Sequence, residues 1–168
     1  MKKRNIVSAS QLVSQESPEL SELEFGLTIL HHTYERWLTR CMHAAGGQEI
    51  TRIEVLILHH IAHNNSAKRV GDIGFVLNIE DAHIVTYGLK KLVKMDYVDV
   101  ERIGKEAFYS ITDSGNQLCA NYREVREACL IDILKESGIA NESLGDCARL
   151  LRTLAGLYDQ ASRASASL

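Results

Sequence analysis

The spacing of apolar residues changes twice along this chain of 168 residues. Up to Met95, apolar residues recur every three or four positions, as they do on the buried face of a helix. They then alternate with polar residues in two short runs, "YVDVERI" and "AFYSIT", which "GKE" separates. After Thr112 the helical spacing returns. The sequence therefore predicts a mainly α-helical fold with one small β-hairpin.

Composition and charge exclude several classes of protein. Hydrophobic residues make up 45% and charged residues 24% of the chain, which is typical of a globular domain. The net charge of −3 gives no global basic field for nucleic acid or membrane, so such a partner needs a local patch. No run approaches the roughly 18 apolar residues of a membrane span. The cysteines form no CxxC pair, which favours reduced thiols. We expect a cytoplasmic protein without a membrane partner.

Capping signals divide the chain into six predicted helices and the hairpin. The first 16 residues are polar and aperiodic, and we expect a flexible arm there. The signals that delimit the helices are, in order, Ser17–Pro18, Gly46–Gly47, the capping box Thr51–Glu54, the αL-prone Asn78, Asp81, Thr112, Gly138 and Asn141. The small-residue end "ASRASASL" is expected to fray.

The third and fourth predicted helices are short and are joined by a tight turn. The third has an apolar stripe consisting of Val70, Ile73, Val76 and Leu77. The fourth begins only a few residues after Asn78, so the two helices must pack at a steep angle. This arrangement predicts a helix-turn-helix.

The fourth helix, "DAHIVTYGLKKL" and the residues after it, has two different faces. At about 100° per residue, Val85, Leu89 and Leu92 lie on an apolar side, and Gly88 at its border indicates a close helix neighbour. The opposite face can read base edges through polar groups and meet phosphates through lysines. Its members are His83, Thr86, Tyr87, Lys90 and Lys94. The alternative is an ordinary solvated helix face.

The two ends of the chain carry similar apolar seams, with alternating steps of three and four residues. The N-terminal seam includes Leu20, Leu23, Leu27 and Leu30, and the C-terminal seam includes Leu144, Leu151, Leu154 and Tyr158. This spacing is typical of helices that pack along one another.

The order of elements, the Leu77–Ile79 turn, Val85–Thr86 with Leu92, and "ITDSG" at 111–115 resemble the MarR family of winged helix-turn-helix regulators. The resemblance covers roughly residues 20–163. It implies a homodimer on pseudo-palindromic duplex DNA, and it leaves a small-molecule effector open. We expect an N-terminal arm (1–16), an N-terminal dimerisation helix (17–47), a winged helix core (48–112), C-terminal dimerisation helices (113–163) and a tail (164–168).

The predicted wing departs from the family pattern. The family's Asp-x-Arg is matched here by Ile103 and Lys105, so the resemblance assigns the minor-groove contact to Lys105, with Arg102 as a substitute. Between Asn64 and Thr112 there are seven basic and seven acidic residues. A neutral head should bind random DNA weakly and depend on base contacts and dimerisation. A protein-interaction module that has lost DNA binding is the alternative.

Histidines and cysteines raise a second alternative, a metal or redox sensor. His59 and His63 have the i, i+4 spacing of a metal pair if His31, Glu35 or a cysteine supplies a third ligand. Cys41 lies in the N-terminal seam, where a buried structural thiol is favoured over an oxidant sensor. No compact metal motif and no nucleophile-base pair is present, so we predict neither a metal, a cofactor nor catalysis.

Overall fold

The computed structural model describes residues 13, 14 and 16–168, except for the side chain of Asn65. Most of the predicted N-terminal arm, residues 1–12 and 15, lies outside the described residues. The elements are α1 (Pro18–Ala44), α2 (Arg52–Ala62), α3 (Val70–Leu77), α4 (Ala82–Lys94), β1 (Val98–Ile103), β2 (Glu106–Ile111), α5 (Asp113–Arg126), α6 (Asp132–Glu136) and α7 (Asn141–Ser165). This order confirms a mainly helical winged helix-turn-helix with a small hairpin.

The chain divides into two compact units, one ending at Val125 and one spanning Arg126–Leu168. The core of the first unit is formed by fully buried apolar side chains of α1 to α4 and the hairpin. Its most enclosed members are Met42, Ile50, Val55, Ile57, Leu58, Ile61, Ile73, Val85, Leu89, Leu92 and Val98. In the second unit, α7 carries no buried residue.

The predicted caps set the helix boundaries in the first unit. The Glu54 carboxylate accepts a hydrogen bond from the Thr51 backbone N–H at 2.6 Å, completing the capping box that starts α2. Asn78 adopts the left-handed conformation with φ 53° and ends α3. Asp81 caps α4 by accepting a hydrogen bond from the His83 backbone N–H at 2.8 Å. The tight turn between α3 and α4 therefore follows from residues that were visible in the sequence.

The hairpin forms the wing, and it is broader than predicted. β1 and β2 pair antiparallel from Val98 opposite Ile111 to Ile103 opposite Glu106, and Gly104, with φ +63°, opens the two-residue loop. In addition, Lys68 and Tyr109 exchange two backbone hydrogen bonds of 2.8 Å. The segment before α3 therefore borders the wing as a third extended piece.

Two predicted details are wrong, one in α3 and one at the end of the last helix. Val76 does not belong to the buried face of α3, as its side chain is 59% exposed and lies about 100° around the helix from Leu77. Gly74 is buried on this face instead. The predicted long helix after Thr112 is present, and it contains a π-helical turn, Glu127–Ile131, between α5 and α6. The last helix continues to Ser165, two residues into the predicted tail, because alanine and arginine favour helix there. None of the helices in the described part of the chain is long and apolar enough to cross a membrane.

Candidate nucleic-acid interface

Packing of α4 against α2 determines which of its faces is presented. Val85, Leu89 and Leu92 are fully buried. At Gly88, an added Cβ atom would lie 2.7 Å from the Cδ1 atom of Ile57. This confirms the predicted close approach, and it leaves the opposite side of α4 to solvent.

The exposed face of α4 is the one predicted. His83, Lys90 and Lys94 are exposed, and Tyr87 is 72% exposed. Thr86 is half-buried, and its hydroxyl donates a hydrogen bond to the Ala82 carbonyl oxygen at 2.8 Å. In the described part of the chain, neither Lys90 nor Lys94 forms an ion pair, so both charges are available to a partner.

Two cavities flank this face, and Tyr87 lines both. One, of 410 Å³, brings Tyr87 together with Lys90, Lys94 and Lys91 beside Glu49 and Met95. The other, also 410 Å³, has His83, Ile84 and Tyr87 on one side and residues of the α2 N-terminus on the other. Thr86 lines neither cavity. The tyrosine thus stands between a basic recess and a mostly apolar one.

Lys91 differs from its neighbouring lysines. Its ammonium group donates to the Glu54 carboxylate at 3.1 Å and also contacts the Glu49 carbonyl oxygen. Glu54 is only 3% exposed. This buried carboxylate both caps α2 and holds α4, so Lys91 positions the helix and Lys90 and Lys94 are the cations that face outward.

The wing presents its two predicted basic residues to solvent. Arg102 and Lys105 are both exposed, but they line neither cavity beside α4. The base of the wing is tied to α3 by Arg69, which pairs with Asp72 at 3.1 Å and with Glu106 at 3.2 Å. Hydrogen bonding to Arg69 lowers the pKa of Asp72. Arg69 is therefore engaged within the protein.

Sequence reasoning missed two exposed apolar residues near the turn. Ile84 is 44% exposed and lines the apolar cavity beside Tyr87. Phe75, on α3, is 86% exposed. For Ile84 a signal was present, since about 100° separates it from His83, at the margin of the polar face. Phe75 had no comparable signal, because a helix of eight residues fixes its buried side poorly by period alone.

The structure corrects the predicted histidine pair. His59 lies within α2 and His63 is the residue that ends it, and neither belongs to the one group of three potential metal ligands gathered within 4.8 Å in the described part of the chain. His59 instead packs its ring edge against Tyr122, with centroids 4.5 Å apart. Cys41 is buried in the core, and its thiol donates to the Tyr122 carbonyl oxygen at 3.6 Å.

The predicted seams remain partly exposed within a single chain. On α1, Leu20, Leu23 and Leu27 are half-buried and Leu30 is 56% exposed. On α7, Leu151 and Leu154 are half-buried, while Leu144 and Tyr158 are each 39% exposed. Each seam thus has apolar surface available for a partner.

Known proteins resemble this chain in fold. Residues 50–115 match the family model described as winged helix DNA-binding domain. MarR from Staphylococcus aureus, solved in complex with salicylate and kanamycin, is 16% identical with a TM-score of 0.67, over 88% of this chain and 98% of that one. AbfR of Staphylococcus epidermidis is 21% identical with a TM-score of 0.66, over 86% and 97%. A MarR transcriptional regulator from Methanosarcina mazei is 14% identical with a TM-score of 0.65, over 82% and 96%. No curated protein sequence matches significantly. The predicted resemblance to MarR regulators is confirmed at the level of the fold.

Proposed function

We propose that this chain, with its winged helix DNA-binding domain and the fold of MarR-family regulators, binds a pseudo-palindromic duplex DNA site as a homodimer and regulates transcription. The fold is that of regulators and not of an enzyme class. The observation that carries the proposal is the outward face of α4, where Tyr87 and two unpaired lysines surround one recess. An α-helix with such a face fits the major groove.

Within this face we assign separate roles. His83, Thr86 and Tyr87 would contact base edges, and Lys90 and Lys94 would contact phosphates. Arg102 and Lys105, at the outer part of the wing, would reach the neighbouring minor groove. Because the surrounding segment is electrically neutral, base contacts carry more of the binding than a basic field would.

Dimerisation would place two α4 helices about one DNA turn apart. The exposed apolar seams of α1 and α7 support this assembly, because uncovered leucines on long amphipathic helices are stabilised by packing against another helix. We assign the contact to Leu20, Leu23, Leu27, Leu30, Leu144, Leu151, Leu154 and Tyr158.

We also infer a small anionic effector. A cavity of 680 Å³ lies between α1 and the start of α2, with Arg36 and Arg40 among its lining residues, whereas Arg52 and Glu35, which also line it, pair with each other. Guanidinium groups bind carboxylates in a two-pronged geometry. The salicylate of the Staphylococcus aureus relative is a ligand of this chemistry. Titration with salicylate should weaken DNA binding if the cavity links α1 to the winged helix.

Selection of purified protein against random duplex DNA tests the function. We expect enrichment of a twofold site whose affinity falls as salt is raised. Tyr87→Ala should relax the base preference, whereas Lys90→Ala should weaken binding to all sequences and reduce the salt slope by about one. Lys135→Ala, which removes a lysine from α6, is the matched charge control.

Two results would contradict this assignment. Equal losses on selected and random DNA for both variants would remove the division between base and phosphate contacts. Failure of the folded, dimeric protein to enrich any site would favour a protein-interaction module, for which the exposed Phe75 offers a contact.

A further inference from the structure

We propose that His31, His32 and Glu35 on α1 form a binding site for a divalent transition metal, with Zn²⁺ as the fitting ion. The ligand atoms of these three side chains lie within 4.8 Å of one another. In the described part of the chain, this is the one group of three potential ligands gathered in this way. The inference stands independently of DNA binding.

Helix geometry explains why the three side chains meet. Consecutive residues diverge by about 100° around a helix, but a residue four positions after His31 and three after His32 falls between them. Glu35 occupies that position. The carboxylate thereby lies between the directions of the two imidazoles, and the ring centroids of His31 and His32 are 5.5 Å apart.

Part of the site is already ordered. The Nε2 atom of His31 lies 2.9 Å from the Oε1 atom of Glu35, and Arg52, the first residue of α2, contacts the same oxygen. Both contacts use Oε1, which leaves Oε2 for another cation. Arg52 therefore fixes the carboxylate in place without occupying all of it.

The donor set selects the class of metal. Two imidazole nitrogens and one carboxylate oxygen suit Zn²⁺ and similar first-row ions, whereas Mg²⁺ and Ca²⁺ prefer oxygen ligands throughout. Three protein ligands leave one tetrahedral position for water. Small rotations of the exposed imidazoles would bring the donors to the metal-ligand distances of about 2.0–2.2 Å.

The three ligands lie beside the seam of α1 and not at its centre. His31 and His32 are exposed, and at about 100° per residue His31, Glu35 and His32 lie about 60°, 100° and 160° around α1 from the centre of the seam formed by Leu20, Leu23, Leu27 and Leu30. A metal bound here would link side chains from two successive turns of α1, and one of them, Glu35, also pairs with Arg52 of α2. It would therefore stabilise α1 against unfolding when added to the protein.

Calorimetric titration of the full chain with Zn²⁺ tests the site, with Co²⁺ absorption as a second readout of tetrahedral nitrogen and oxygen coordination. We expect one saturable ion per chain. Replacing a residue that hydrogen-bonds to a metal ligand typically lowers the affinity for the metal about 10–100-fold. Loss of a ligand in His32→Gln or Glu35→Gln should therefore weaken Zn²⁺ binding at least as much. Affinity should also fall at lower pH, because imidazole binds metal only when neutral.

Two variants separate ligation from structure. Arg52→Gln breaks the same ion pair as Glu35→Gln but keeps all three ligands, so it should bind Zn²⁺ more tightly through loss of a neighbouring positive charge. His43→Gln removes an exposed histidine of α1 outside the group and should change nothing. Unchanged affinity in His32→Gln, or an equal loss in Arg52→Gln or His43→Gln, would overturn the proposal.

Discussion

Gly115, near the start of α5, is the position where one added methyl group would meet the hardest obstacle. A Cβ atom there would lie 2.2 Å from the Tyr97 carbonyl oxygen, which belongs to the backbone and cannot rotate away. By contrast, the Cβ that Gly88 lacks would meet the flexible end of Ile57. Substitution of Gly115 should therefore destabilise the protein more than substitution of Gly88.

Gly115→Ala should lower the free energy of unfolding by about 3 kcal/mol, the upper part of the usual range for overpacking. Urea denaturation followed by circular dichroism measures the change. Gly71→Ala, in an open helical position of α3, is the control and should raise stability by about 0.5–1 kcal/mol through helix propensity. Equal effects of the two substitutions would contradict the clash.

His59 should make stability depend on pH. Burial against Tyr122 lowers its pKa, so below the ordinary value of 6.5 the unfolded chain binds a proton that the folded chain resists. The free energy of unfolding should therefore fall as pH drops below about 6.5 and be unaffected by this group above it. His60, whose pKa is also lowered first by burial, contributes in the same direction.

The measurement is the urea midpoint between neutral pH and mildly acidic pH. His59→Gln should flatten the decline, because the glutamine side chain does not titrate. His43→Gln, at an exposed position, should leave the slope as it is. If His59→Gln kept the full slope, burial of His59 would not be its source.

Among the elements, α2 and α4 depend on one carboxylate. Glu54 accepts from the Thr51 N–H and from Lys91, and it is almost fully buried. Glu54→Gln should destabilise the first unit by about 2 kcal/mol, since the capping bond and a partly buried ion pair are weakened together.

Thermal or urea unfolding measures this loss. Glu106→Gln is the matched control, because it removes an equivalent charge from an exposed pair with Arg69 that solvent screens. A loss for Glu106→Gln as large as that for Glu54→Gln would show that burial does not distinguish the two pairs.

The elements that the sequence predicted well are those whose signals are local. Thr51 with Glu54, Asn78 and Asp81 act within four residues, so their roles could be inferred without tertiary contacts. The same holds for the outward direction of Tyr87, which follows from helical period.

What the sequence did not predict depends on distant partners or on irregular backbone. The bridge between Lys68 and Tyr109 joins residues far apart in the chain and has no local signal. The capture of Lys91 by Glu54 likewise required the packing of α4 on α2. The i, i+4 spacing of His59 and His63 likewise gave no information on a third ligand, and the structure gathers none with them in the described residues.

At the scale of the whole molecule, a substitution in the seam of α7 tests whether the chain forms a dimer through this helix. Leu154→Glu would place a charge on the apolar face, where dimer contact would otherwise exclude water, and should raise the dimer dissociation constant by about tenfold or more. Gln160→Glu adds the same charge about 165° from the centre of this seam and is the control. Sedimentation velocity over a concentration series measures both.

A dimer of unchanged affinity in Leu154→Glu would exclude this seam from the interface. If dimerisation and specific DNA binding were lost together in Leu154→Glu, and both persisted in Gln160→Glu, the spacing of two α4 helices would be necessary for recognition. This outcome would show that DNA recognition by α4, which lies in the first unit, depends on dimerisation through α7 of the second unit.

The hydrogen bond from the Thr86 hydroxyl to Ala82 has a consequence for the base that this residue can select. With its proton already donated within α4, the hydroxyl oxygen retains only lone pairs. It can accept from the exocyclic amino group of adenine or cytosine, but it cannot donate to the oxygen of guanine or thymine. Adenine or cytosine at one fixed position of a selected site would therefore be the expected result of this hydrogen bond within α4.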